Sequence, residues 1–199
     1  MHRFWCVSAL ALFLVLSLGS GAAGEERGMR FGLGGGWMLG SGPPYGHYWF
    51  GHLDYHYRLD FNVVGYFELD LLRRLALQFE ASYQGGSSDT DFVYGDLTSE
   101  ERGRFGVFSM ALGLVYTEPI VRGLAYFIKI AGGLSWGDWG EFSGTYYNWN
   151  FGGGLKFYVH KPPAHDAIVL SVVWQNLLKP HDYYTSSAEA FKFNLGFEF

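Results

Sequence analysis

The sequence predicts an all-β chain: an eight-stranded antiparallel up-and-down barrel that crosses a membrane with its strands. Three observations predict it. Eight separate stretches alternate bulky apolar residues with small or polar ones, and a strand sends successive side chains to opposite faces. Aromatic residues make up 20% of the chain and glycines number 29, yet past the first 24 residues no apolar run approaches the roughly 20 needed for a spanning helix. In lipid only helices and closed barrels satisfy the backbone, so a membrane chain without such runs must close a barrel. The two faces also differ in bulk. Trp37, Trp136, Trp149 and Trp174 share one face with many Phe, Leu and Tyr, whereas Gly32, Gly34, Gly36, Gly113, Gly152 and Gly154 lie on the other.

The first residues stand apart from this pattern. Met1-His2-Arg3 gives a short positive start, residues 7–18 are apolar, and Gly19-Ser20-Gly21-Ala22-Ala23-Gly24 is small throughout. That is the layout of a secretory signal peptide, expected to be cleaved near Ala23, and its apolar run is short for a spanning helix. Residues 1–23 are therefore read as a signal and 24–199 as one barrel domain. The single cysteine, Cys6, falls in the removed part, so the mature chain would offer no thiol for a disulfide or for catalysis. Losing Arg3 leaves 13 basic residues against 19 acidic ones, a charge of about −6. A mildly acidic chain without a basic stripe argues against nucleic acid as a partner.

Each strand is justified by its own alternation. The first, about 29–39, sets Phe31, Leu33, Trp37 and Leu39 against Arg30, Gly32, Gly34 and Gly36. The second is long, about 52–69, with Tyr55, Tyr57, Leu59, Phe61, Val63 and Phe67 opposite His52, Asp54, His56, Asp60, Asn62 and Glu68. The third, 75–84, sets Leu75, Leu77, Phe79 and Tyr83 against Gln78, Glu80 and Ser82, and a polar, acidic loop is expected over 85–103. The fourth, about 104–117, carries Phe108, Met110, Leu112 and Leu114 on its apolar face; the fifth, 124–136, sets Tyr126, Ile128 and Ile130 against Phe127 and Lys129. The sixth, about 147–160, opposes Trp149, Phe151 and Phe157 to Asn148, Asn150 and Lys156, and ends at Pro162-Pro163. The seventh, 167–177, opposes Ile168, Leu170, Val172 and Trp174 to Ser171 and Gln175. The eighth, 190–199, puts Phe191, Phe193, Leu195, Phe197 and Phe199 on one face and Lys192, Asn194 and Glu198 on the other.

An alternating last strand that ends in phenylalanine, with an even strand number and long connections alternating with short turns, resembles the small outer-membrane barrels of Gram-negative bacteria, the OmpA-type and OmpX-type class. The resemblance covers the mature chain and rests on architecture rather than on a loop motif. It implies that Phe191, Phe193, Leu195, Phe197 and Phe199 form a signal read by the barrel-assembly machinery. It further implies an address in the cell outer membrane with both termini periplasmic, and outer-membrane lipid and lipopolysaccharide as surroundings. A soluble, lipocalin-like calyx would invert the faces, apolar inside. The bulk of the apolar face is too great to line so narrow a lumen.

Inward charges should pair, because an unpaired charge in a narrow lumen is costly. Arg30, Glu68 and Glu198 lie near the same end of neighbouring strands, Glu80 and Lys129 about five residues further up, and Lys156 slightly lower. The expectation is an interior network of these six that closes the lumen to ions. The bland alternative is structural filling without gating. His52, Asp54 and His56 are the most ligand-like cluster, on the inner face of an extended second strand. His52 and His56 are about 13 Å apart along a strand, so no metal or other cofactor is expected, and a plain polar strand extension or a mouth contact remains. No histidine is followed two residues later by serine, the pair a lipid A deacylase would show, and a palmitoyltransferase-like triad has no distinguishing motif. The expected role is structural or interactive, through loops that meet an extracellular ligand or host protein. A small-solute or ion channel and a lipid-modifying enzyme are the alternatives.

Overall fold

The computed structural model describes residues 28–40, 52–56, 59–94, 97–138, 144–159, 166–178 and 187–199. The signal-peptide reading and most of the expected connections lie outside them. Nine strands follow in order: β1 (Met29–Gly40), β2 (His52–His56), β3 (Leu59–Leu72), β4 (Leu75–Tyr94), β5 (Leu97–Val121), β6 (Leu124–Asp138), β7 (Gly144–Tyr158), β8 (Ala167–Leu178) and β9 (Ser187–Glu198). Eight of them close a barrel in the order β4-β3-β1-β9-β8-β7-β6-β5, with β5 pairing back to β4, and β2 pairs with β4 outside that ring. All pairings are antiparallel. Among the described residues no helix is long and apolar enough to cross a membrane.

The register fixes the barrel's shape. A row of directly paired residues that leaves β1 at Arg30 passes Glu68, Gln78, Gly113, Ala131, Asn150, Gln175 and Ala190. It returns to β1 at Gly40, ten residues further along. That stagger, with eight strands and ordinary strand spacings, tilts the strands by about 40°. The interior of such a barrel is just wide enough for side chains to fill.

The alternation sorts the side chains as a bilayer requires. Leu33, Trp37, Phe61, Phe79, Leu112, Ile130, Trp149, Phe151, Leu170, Leu195 and Phe197 are exposed on the outside, while Asn62, Glu68, Gln84, Ser135, Asn148, Lys156, Gln175 and Glu198 are buried within. A large exposed apolar surface around a buried polar interior is the reverse of a soluble domain and is the pattern of a lipid-embedded barrel. Near one end a belt of phenylalanines runs across the closing seam. Phe31 meets Phe67 in a tilted contact at 5.0 Å and stacks on Phe199 at 6.3 Å, and Phe67 reaches Phe79 at 6.4 Å. The seam itself is held there by reciprocal Phe31–Phe199 backbone hydrogen bonds of 2.8 Å.

Two expectations need correction. Residues 85–94 and 97–103 are strand and not loop. β4 and β5 run on through them as one regular antiparallel ladder, paired from Leu75–Tyr116 to Tyr94–Leu97. β6 pairs with β5 only from Gly106 to Val121, so residues 97–105 continue past the barrel wall with that edge unpaired by any described strand. The expected second strand also changes register on β4. β2 meets β4 with His56 opposite Asp89, and β3 meets it with Phe61 opposite Gly85. Five steps on one side thus match four on the other.

Candidate functional site: the lumen and its far end

The lumen is built from the inward positions of every barrel strand, and its charges gather at two levels. The lower level lies near the short turns. The Arg30 guanidinium bonds Asp70, lies 3.2 Å from Glu68 and 4.0 Å from Glu198. Lys156 Nζ lies 3.1 Å from Glu68 Oε2 and 2.7 Å from Glu198 Oε2. The Tyr66 hydroxyl donates to Glu198 at 3.0 Å and the Gln78 amide to Glu68 at 2.9 Å. The Lys156 ammonium also sits over the Phe127 ring, 5.5 Å from its centroid. Glu68, Lys156 and Glu198 are at most 1% exposed, so each needs these partners to remain charged.

The second level pairs Lys129 with Glu80. A further ammonium, that of Lys192, enters from β9 and donates to Ser82 Oγ at 3.5 Å. It is 2% exposed and makes no ion pair among the described residues, and Ser82 lies two residues along β4 from Glu80. Around and above them the filling is neutral. Gln84 donates to Gln175 at 2.6 Å, and Gln175 donates to Asn148 at 3.1 Å and Ser109 at 3.4 Å. Ser109 and Ser135 share a hydrogen bond of 2.6 Å, and Asn62 donates to Asn194, which donates to Ser171 at 3.4 Å. Val107, Tyr146 and Leu177 form an apolar cluster inside the hairpin end.

Of the six charges singled out in the sequence, Arg30, Glu68, Lys156 and Glu198 meet at one level and Glu80 and Lys129 at the other. Asp70, Lys192, Tyr66 and the glutamines were not singled out. Lys192 shows on the polar face of the last strand in sequence, but its approach to Ser82 and Glu80 depends on the ten-residue stagger. Phe191, Phe193, Leu195, Phe197 and Phe199 are all exposed on the outer wall. The side chains of His52, Asp54 and His56 lie outside the described residues. Their backbone register sets them opposite Val93, Asp91 and Asp89, in the row that alternates with Gln84 and Gly86. Among the described residues no group of three His, Cys, Asp or Glu could hold a metal ion.

No protein-family model matches the chain, and no curated protein matches it in sequence. Solved structures do. The crystal structure of Neisserial surface protein A aligns with a TM-score of 0.54 at 10% identity, over 87% of this chain and 98% of that one. The outer membrane protein OprG from Pseudomonas aeruginosa aligns with a TM-score of 0.54 at 9% identity, over 87% and 97%. Ail, the attachment invasion locus protein of Yersinia pestis, solved with the heparin analogue sucrose octasulfate, aligns with a TM-score of 0.47 at 14% identity, over 88% and 100%. The chain has the fold of the small eight-stranded outer-membrane β-barrels.

Proposed function

We propose that this chain is a non-enzymatic surface protein of a Gram-negative outer membrane, acting through the segments beyond the long-hairpin end of a closed barrel. The observation that carries the reading is the filled lumen. Its charges are buried at two levels with neutral amides and hydroxyls around and above them, which supports reading Arg30, Glu68, Glu80, Lys129, Lys156 and Glu198 as a plug that closes the lumen to ions. Function then falls to the far end, where the β4–β5 hairpin and β2 project and where loops carry recognition. The partner chemistry is that of the outer surface: lipopolysaccharide, or a host protein taken as an added strand along the open β5 edge. In this reading residues 1–23 are removed on export, both termini face the periplasm, and the phenylalanine-rich β9 is the signal for the barrel-assembly machinery.

Two measurements test it. Purified protein in planar bilayers should show no steady conductance, and a stable open state would overturn the plug. An epitope placed between Gly95 and Asp96 should be labelled by antibody on intact cells. Labelling only after the outer membrane is permeabilised would overturn the orientation.

A further inference from the structure

The opposite end of the barrel carries a surface that neither the lumen nor the hairpin accounts for. Two short turns lie side by side there, because β4 and β5 are neighbours: Arg73-Arg74 joins β3 to β4, and Arg122-Gly123 joins β5 to β6. The Thr117 N–H donates to the Arg74 carbonyl at 2.9 Å and ties the first turn to β5. Gly123 has φ 85°, a conformation that suits glycine and lets the second turn reverse in two residues. Each turn is approached through apolar side chains that no described residue covers. Leu71 and Leu72 precede the first and Ile120 and Val121 the second, and all four are exposed.

The charge here is lopsided. Among the described residues three guanidiniums stand against one carboxylate on these two turns, since Glu118 bonds Arg74 at 2.7 Å while Asp70 is taken by Arg30 in the lumen. Arg73 and Arg122 are exposed and make no ion pair among the described residues. Tyr116, on the outer wall just inside the turns, donates its hydroxyl to the same Glu118, at the level where tyrosines mark the bilayer interface. From the wall outward the order is tyrosine hydroxyl, exposed aliphatic side chains, then guanidinium. The guanidiniums thus stand at the outer rim of the apolar surface, where a phospholipid leaflet presents its phosphates, and guanidinium forks suit phosphate oxygens.

We propose that the Arg73-Arg74 and Arg122-Gly123 turns form a docking surface for the phosphates of anionic phospholipid headgroups. The proposal rests on the membrane address argued above and not on which leaflet the turns face. Each unpaired arginine then contributes about a fivefold preference for anionic over zwitterionic lipid, the usual strength of a basic side chain at a charged bilayer surface.

The test uses the full chain folded into phosphatidylcholine vesicles with and without phosphatidylglycerol, and native mass spectrometry of the lipids it retains. The wild type should keep phosphatidylglycerol in preference to phosphatidylcholine and unfold at higher urea in the anionic vesicles. Arg73→Gln and Arg122→Gln should each lower the retention ratio about fivefold, and Arg104→Gln at the other end should leave it unchanged. Equal retention of the two lipids, or an unchanged ratio in the double variant, overturns the docking surface. So does reproduction of the stabilisation by inorganic phosphate added to phosphatidylcholine vesicles, which would mark a free-anion site. Failure to insert into either bilayer would overturn the membrane address and this proposal with it.

Discussion

Among the described residues Glu80 is the one carboxylate at the level of two buried ammonium groups, and the two ways of breaking that trio should cost different amounts. Lys129 bonds Glu80 directly. Lys192, buried on the far wall, donates to Ser82 at 3.5 Å, two residues along β4 from Glu80. In Lys129→Met the carboxylate keeps a cation, because Lys192 can exchange a weak hydroxyl contact for an ion pair. The loss is then about that of one charged hydrogen bond, roughly 1.5–3 kcal/mol. In Glu80→Gln both ammonium groups stay buried with no counter-charge, and removing one partner of a buried pair costs about 3–5 kcal/mol. Lys192→Met placed on top of Glu80→Gln removes one of the two stranded charges and should recover stability. Urea unfolding in lipid vesicles, followed by tryptophan fluorescence, measures all four proteins. If Lys129→Met proves as costly as Glu80→Gln, or if Lys192→Met fails to rescue, the trio is not electrostatically coupled and the reasoning is wrong.

Three further predictions follow from other parts of the barrel. Adding a methyl at Gly36 drives it into the Phe193 carbonyl across the closing seam, whereas at Gly35 the nearest atom, the Asn62 carbonyl oxygen, is 3.4 Å away. Gly36→Ala should therefore cost about 1–3 kcal/mol and Gly35→Ala less than about 0.5, as read from urea midpoints. Ile130 is exposed near the middle of β6, and Ile130→Arg should cost about 2–4 kcal/mol in a bilayer; a neutral effect would place that face in water. Gln175 joins three partners while fully buried, so Gln175→Leu should cost about 3 kcal/mol from lost hydrogen bonds and stranded amides, with a calorimetric or urea midpoint as the check.

The parts of the fold that were legible in sequence are those where one face meets lipid. The spans of β6 and β8 follow from alternation alone, because every second residue there must be apolar outside and small or polar inside. Residues 87–103 carried no such signal. A hairpin beyond the bilayer has water available to both faces, so Asp89, Asp91, Glu100 and Glu101 read as loop while the backbone ladder holds them as strand. The register change between β2 and β3 was hidden for a related reason. Tyr55 and Tyr57 look like a continuing apolar row, and a shift of one step leaves no mark in composition. In the lumen, burial of the charges followed from their phase, but Lys192 and Gln175 meet partners on β4 only because the barrel is sheared by ten residues, a property of closure and not of any one strand.

The lower charge cluster has a consequence for how the chain reaches its final state. Lys156 and Glu68 are 88 residues apart, Lys156 and Glu198 are 42 apart, and Tyr66 and Glu198 are 132 apart. Glu198 comes from the last strand and Arg30 from the first, so neither finds its full set of partners until β9 zips against β1. A seven-stranded intermediate would hold Lys156 and Arg30 with too few carboxylates and would leave Tyr66 and Asn62 without the acceptors that β9 brings. Such long-range contacts are slow to form, and those made by Glu198 wait on the closing strand. The cluster acts as a checkpoint on circularisation: a misregistered or incomplete ring is electrostatically penalised at its own centre, and only the correctly sealed one is quiet.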